Sequence, residues 1–353
     1  MNYLISIFWA LLIFPVIALL ITIPFMLIEY HKYGSINKLR TLIIYSFILY
    51  LIIIYFLVIL PLPSKEEVLN LKTPIMNLKP FNFIRDILKE TSFQLTKPST
   101  YLKSLTDPCI YIVIFNIILT IPLGIYLRYY FQTNLLKTIF LSFSLSLFFE
   151  LTQLTGLYFI YSRPYRLFDV DDLILNTFGG LLGYLIATIF LKILPSRSKI
   201  DEDSYQQGKN ISGLRRITCF GLDMIIYCLI YFLLNKFIEF SYLKYLLLFI
   251  YYLIIPYLTK GYTLGSKFLN IKLVFQSNLF FGLLKRFIFY YFYGNLIPMI
   301  IFLLNYSNST INFLLVILSI RIVYLYLINI IILLKDHTIY YDKYLKVTYQ
   351  STI

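Results

Sequence analysis

Uninterrupted apolar stretches recur from one end of this 353-residue chain to the other, and their length constrains the fold more than any other feature. Crossing a hydrocarbon layer ~30 Å thick takes about 20 helical residues, and no backbone polar group can be left unbonded in lipid. Nine stretches meet that demand, at 3–28, 41–60, 109–127, 138–160, 173–193, 217–235, 241–258, 287–304 and 312–334. The seventh is the least regular, because Pro256 interrupts it and Lys244 stands near its start. With 59% hydrophobic residues, 14% charged residues and a mean hydropathy of +0.78, a soluble domain of this size is excluded. The expected fold class is all-α: a polytopic integral membrane protein of about nine transmembrane helices in two bundles. The first stretch lacks a basic leader and a small-residue cleavage site, so it is expected to stay as an anchor rather than act as a removable signal.

Lysine and arginine placement predicts orientation, since basic residues flanking spans are retained on the cytoplasmic side. With the amino terminus outside and the carboxy terminus cytoplasmic, nineteen of the 31 basic residues fall inside and eleven outside, with Arg321 inside a span. Seven of the outer eleven sit in the long 61–107 loop, and long loops obey the rule poorly. The net charge of +14 then follows from topology and attraction to anionic headgroups. The bilayer is the expected partner. Nucleic acid is not, because no basic soluble domain exists to hold it.

Cys109, Cys219 and Cys228 have no metal-ligand spacing, and His31 and His337 lie in separate loops, so no metal site is expected. Signatures of the common hydrolases and of phosphate-binding loops are missing. The chain therefore reads as a non-enzyme without a cofactor. The polar stretch PSRSKIDEDSYQQGKNISGL suggests a cytoplasmic linker, dividing the chain into modules at 1–194 and 214–353 around a 195–213 connection.

In the fifth span Asp172, Asn176, Gly179 and Gly183 follow one another at steps of four, three and four, so they share one helical face. The glycine pair invites close helix packing, while Asp172 and Asn176 face the same seam. Asp169 is a candidate helix cap, with Asp171 and Asp172 complementing the helix dipole. Arg163 and Arg166, one short loop away, could neutralise these carboxylates or present a fork to an anionic group. Glu150, deep in the fourth span with Gln153 on the same face, is either a protonated structural carboxyl or a functional one that needs a partner.

Several separated pieces of this half resemble the VanZ family of membrane proteins, over residues 30–195. They are Asn77, Leu78, Pro80, Phe81 and Ile84; Asn116 with Pro122, Leu123 and Gly124; Glu150 with Gln153; and Arg166, Asp169, Asp171, Asp172, Asn176, Gly179 and Gly183. The resemblance implies a helical bundle with an extracytoplasmic polar pocket, and its founding member confers low-level teicoplanin resistance. Phe83, Ile84, Ile87 and Leu88 fall on one side of a short amphipathic stretch starting near Asn82, expected to lie on the membrane interface.

The second half is similar to the RDD family. Arg216 and Asp223, then Lys260, Gly261, Thr263, Gly265 and Lys267, then Ile271 to Val274, and Arg286 carry that likeness; Asp342 fits its closing aspartate loosely. Seven residues separate Arg216 from Asp223, two helical turns on one face, which suggests a structural ion pair bridged by water. Gly261 and Gly265 are expected to shape a turn.

The functional expectation is a VanZ-like protein whose outward pocket binds an envelope component, such as a lipid-linked precursor or a glycopeptide, with Glu150, Arg163, Arg166, Asp169, Asp172 and Asn176 as its ligand-binding residues. The alternative is an ion or small-solute transporter using Glu150, Asp223 and Arg321. Abundant Ile, Tyr, Lys and Asn suggest an AT-rich genome and a Gram-positive host.

Overall fold

The computed structural model describes residues 3–92, 96–98, 100, 104–105, 107–238, 240–276, 278–289, 291, 309–336 and 340–353. Among them, six helices are long and apolar enough to cross a membrane. They are α1 (Tyr3–Tyr33), α2 (Lys38–Ile59), α5 (Pro108–Tyr129), α6 (Leu135–Leu154), α7 (Val170–Ile193) and α9 (Gly213–Asn235), with α3 (Lys65–Leu69), α4 (Asn82–Glu90) and α8 (Arg197–Gly208) between them. The first six expected spans correspond to these six helices. The seventh is a shorter apolar helix, α10 (Leu243–Leu258), whose centre is a π turn at Ile250–Ile254. The eighth lies largely outside the described residues, and the ninth falls in α12 (Ser309–Asp336).

The fourth span is shorter than the sequence suggested. It ends at Leu154, because Leu157, Tyr158 and Phe159 take left-handed backbone angles with φ of 57°, 56° and 69°. The left-handed turn reverses the chain toward Tyr161 and lifts 155–160 out of the helix. The 195–213 stretch is also more ordered than a flexible linker, since α8 occupies most of it and buries Ile200 and Ser204.

The chain forms two compact units. One comprises residues 1–20 and 38–200, the other 21–37 and 201–353, so the long α1 contributes to both. In the first, α7 packs between α5 and α6. Gly179 and Gly183 rest on the carbonyls of Ile117 and Ile121, Gly180 on Ser142, and Gly124 of α5 on the backbone of Gly180. A Cβ at any of these four would overlap its neighbour, so the absence of side chains sets the interhelical distance. Apolar clusters flank this seam, one of Ile54, Ile59 and Phe149, another of Ile43, Tyr129, Tyr130 and Ile200. Outward-facing Leu136, Leu185 and Ile189 remain exposed, as expected where lipid covers a helix.

In the second unit Tyr30, Cys219, Leu269 and Ile271 form a core. Strand β3 (Ile271–Phe275) pairs antiparallel with β4 (Val347–Ser351), Ile271 opposite Ser351 and Phe275 opposite Val347. Two short helices, α11 (Leu264–Phe268) and α13 (Tyr340–Leu345), precede those strands.

Candidate functional site: a polar cluster at the mouth of α7

Helix α7 starts at Val170 because Asp169, in extended conformation, accepts the Asp171 N–H at 2.9 Å and caps it. Asp169 also closes a two-residue strand, β2 (Phe168–Asp169), that pairs in parallel with β1 (Met76–Asn77). That pairing sets Asn77 opposite Asp169, and the Asn77 amide donates to both carboxylate oxygens at 3.2 Å. Burial raises the Asp169 pKa, opposed by the bonds from Asp171 N–H and Asn77.

Glu150 is 3% exposed on the buried face of α6, and its Oε2 accepts the Asp169 N–H at 2.9 Å. The last turn of α6 is thereby tied to the first residue before α7. Asp172 accepts from the Asn116 amide of α5 at 2.5 Å. One turn deeper, Asn176 donates to Ser146 Oγ at 2.9 Å, Thr120 donates to the Asn176 carbonyl at 2.7 Å, and Ser146 donates to the Asp172 carbonyl at 3.3 Å. Glu150, Asp169, Asp172 and Asn176 are thus gathered in one polar cluster at the junction of three helices.

The arginines are placed differently from the expectation. Arg166 donates to the carbonyls of Val58 at 2.6 Å and Leu60 at 3.0 Å; Arg163 donates to those of Leu71 and Thr73, the latter at 2.8 Å. Their planar forks match carbonyls at the end of α2 and after α3, where the helical ladders have ended. Tyr161 adds a bond to the Pro63 carbonyl at 2.7 Å, and Gln153 one to the Val58 carbonyl at 3.1 Å. Tyr165, buried with Tyr161 against Val68, has its phenol pKa pushed up to about 12 by desolvation. The charge of Arg166 also acts on Glu150 and Asp172. The 161–166 loop therefore straps down the segment after α2.

Asp171, read as a complement to its own helix dipole, has another role. Its carboxylate accepts the N–H of Phe81 at 2.6 Å and of Phe83 at 2.9 Å, capping the start of the interfacial helix α4. Asp171, Asn77, Asn116 and Ser146 all belong to the cluster, and sequence reasoning did not single them out as site residues. The signal for Ser146 was present: Thr138, Ser142, Ser146 and Glu150 recur every four residues, a buried polar stripe in an apolar helix.

In the second unit, Arg216 does not pair with Asp223. Arg216 forms an ion pair with Asp342 and stacks over the Tyr349 ring at 3.8 Å, while Tyr349 donates to Asp342 at 3.0 Å. The Asp223 carboxylate instead accepts Tyr251 Oη at 2.7 Å, Thr263 Oγ1 at 2.7 Å and the Gly265 N–H at 2.8 Å. Thr263 caps α11 through a reciprocal bond with Ser266. Gly265 must lack a side chain because a Cβ would overlap Asp223; Gly261, at φ +107°, turns the chain against Leu273. Arg286 is 8% exposed. Arg215, unmarked in the sequence reading, is fully buried and donates to the carbonyls of Gly208, Leu269 and Asn270. The Arg321 side chain lies outside the described residues. Among those described, no group of three or more His, Cys, Asp or Glu residues is arranged to hold a metal ion.

Apolar spanning helices closed around a buried polar cluster define a multi-pass helical membrane protein. Within that class, residues 47–191 match the VanZ/LLP1 family model, a stretch contained in the first unit and covering less than half of the chain. No curated protein and no solved structure matches the chain.

Proposed function

We propose that the VanZ-like unit acts at the cell envelope, binding a polar, glycan-bearing component such as a lipid-linked precursor or a glycopeptide through its hydrogen-bond donors, and contributes to teicoplanin tolerance. The observation that carries this reading is the convergence of Glu150, Asp169, Asp172 and Asn176 on one junction of α5, α6 and α7. In this reading Asp172 orients donors of the ligand, Asp169 holds the mouth in shape through Asn77 and the cap of α7, and Glu150 fixes the junction from below. Arg163 and Arg166 shape the rim through the carbonyls they hold. In this reading the mouth faces outward, which the lysine and arginine placement supports, and the host is Gram-positive. The second unit is read as an RDD-like module, supported by the Asp223, Thr263 and Gly265 arrangement, and the protein as a non-enzyme.

The test is teicoplanin susceptibility of a deletion strain complemented with wild type or Asp172→Asn, with equal membrane abundance checked by immunoblot. Restoration by wild type alone supports the reading, and a deletion without effect on susceptibility refutes it. A transport reading is favoured by the polar stripe that continues along α6 below Glu150. A path through Asp223 is disfavoured, since three donors already fill that carboxylate.

A further inference from the structure

Below Glu150 the α6–α7 seam stays polar for three more turns. Thr138 and Ser142 are 0% exposed, Ser146 1% and Asn176 6%. Twelve residues separate Thr138 from Glu150, about 18 Å of helix at ~1.5 Å per residue, more than half the thickness of a hydrocarbon core. At the far end Thr138 and Thr133 share a hydrogen bond of 2.8 Å, so the stripe reaches the loop that precedes α6.

Small polar residues at this spacing also serve close helix packing, and Ser142 does sit against Gly180. Packing does not account for two atoms. Among the described residues, Ser142 Oγ and Asn176 Oδ1 are buried without a hydrogen-bond partner. Each such group in an apolar surrounding costs about 1–3 kcal/mol, and a buried serine in a helix ordinarily relieves itself on the carbonyl four residues back. Asn176 faces Ser146 and Ser142 faces Gly180, so the two residues that carry the orphaned atoms are about one helical turn apart along the seam, ~5.4 Å of rise. A single water in that gap would satisfy both atoms, donating to the asparagine oxygen and accepting from the serine hydroxyl.

From this we infer that the α6–α7 seam is a hydrated proton path joining the Glu150 cluster to the Thr133–Thr138 end. A proton taken up on the Glu150 carboxylate passes to a seam water as the carboxyl O–H bond breaks and a water O–H bond forms. Each later hop, over seam waters and the hydroxyls of Ser146, Ser142 and Thr138, releases one proton as it accepts another. Asn176 holds the bridging water as an acceptor and carries no proton itself. Asp169, Asp172 and Arg166 set the field at Glu150. This deepens the transport reading and is independent of glycopeptide tolerance.

The experiment is proton influx into liposomes containing the full-length protein and a trapped pH-sensitive dye, driven by a potassium diffusion potential with valinomycin. Wild type should acidify the lumen at least tenfold faster than empty liposomes. Glu150→Gln should abolish that flux, and Ser142→Val, which displaces the water with a methyl pair, should reduce it at least tenfold. Ser144→Ala, on another face with its hydroxyl on the Phe140 carbonyl, should match wild type. Monodispersity in detergent establishes that each variant is folded; should Ser142→Val fail, Ser142→Ala replaces it. Wild-type flux at the level of empty liposomes, or full flux in folded Glu150→Gln, overturns the path. Either result leaves the susceptibility test standing.

Discussion

Asp171 should control whether α4 stays docked. Phe81, the residue before that helix, has a left-handed φ of 62° and offers no side-chain cap, so the first amides of α4 depend on the Asp171 carboxylate of another helix. Hydrogen bonds to a charged group contribute about 1.5–3 kcal/mol each. No side chain of α4 is buried, so amides released from Asp171 are rehydrated and recover much of that energy. The net loss for Asp171→Ala is therefore about 2 kcal/mol for the pair, which at ~1.4 kcal/mol per decade is a ~30-fold rise in local opening. Asp171→Asn keeps one acceptor oxygen and should give roughly 1 kcal/mol, about fivefold. Hydrogen–deuterium exchange of the protein in nanodiscs measures this directly. Peptides covering 82–90 should exchange faster by those factors, while peptides from α5, α6 and the body of α7 stay unchanged. Unchanged exchange at 82–90 in Asp171→Ala would refute the capping role, and equal acceleration everywhere would show that Asp171 supports the whole bundle instead.

Three further substitutions and one double variant probe packing and pairing. Gly183→Val drives side-chain atoms into the Ile121 carbonyl and should cost about 3 kcal/mol or more, lowering the thermal midpoint in detergent. Gly221→Ala, with open space around the position, should instead stabilise the helix by about 0.5–1 kcal/mol and raise the midpoint. Arg216→Met leaves Asp342 buried and unpaired, an expected loss of about 3–5 kcal/mol that the double variant Arg216→Met/Asp342→Leu should largely recover. Thermal melts of the two variants compared with wild type decide it; no recovery would mean that the pair is not the source of the loss.

The membrane class and six of the spans were legible in the sequence because a helix in lipid satisfies its hydrogen bonds within itself, so length and hydropathy suffice. The face bearing Asp172, Asn176, Gly179 and Gly183 was legible for the same reason: helical periodicity is local. The fourth span was read too long because Leu157, Tyr158 and Phe159 are apolar residues whose left-handed angles leave no compositional trace. What only the tertiary structure decided were partners distant in the chain. Arg216 finds Asp342, 126 residues away; Arg166 finds the carbonyls of Val58 and Leu60, 108 and 106 away; and Asp171 caps a helix some 90 residues earlier. A charge in a sparse, apolar sequence announces that it must be satisfied, but satisfaction comes from whichever carbonyl, amide or carboxylate the packed helices bring to it. That choice rests on loop paths and interhelical spacing, which residue spacing along the chain does not encode.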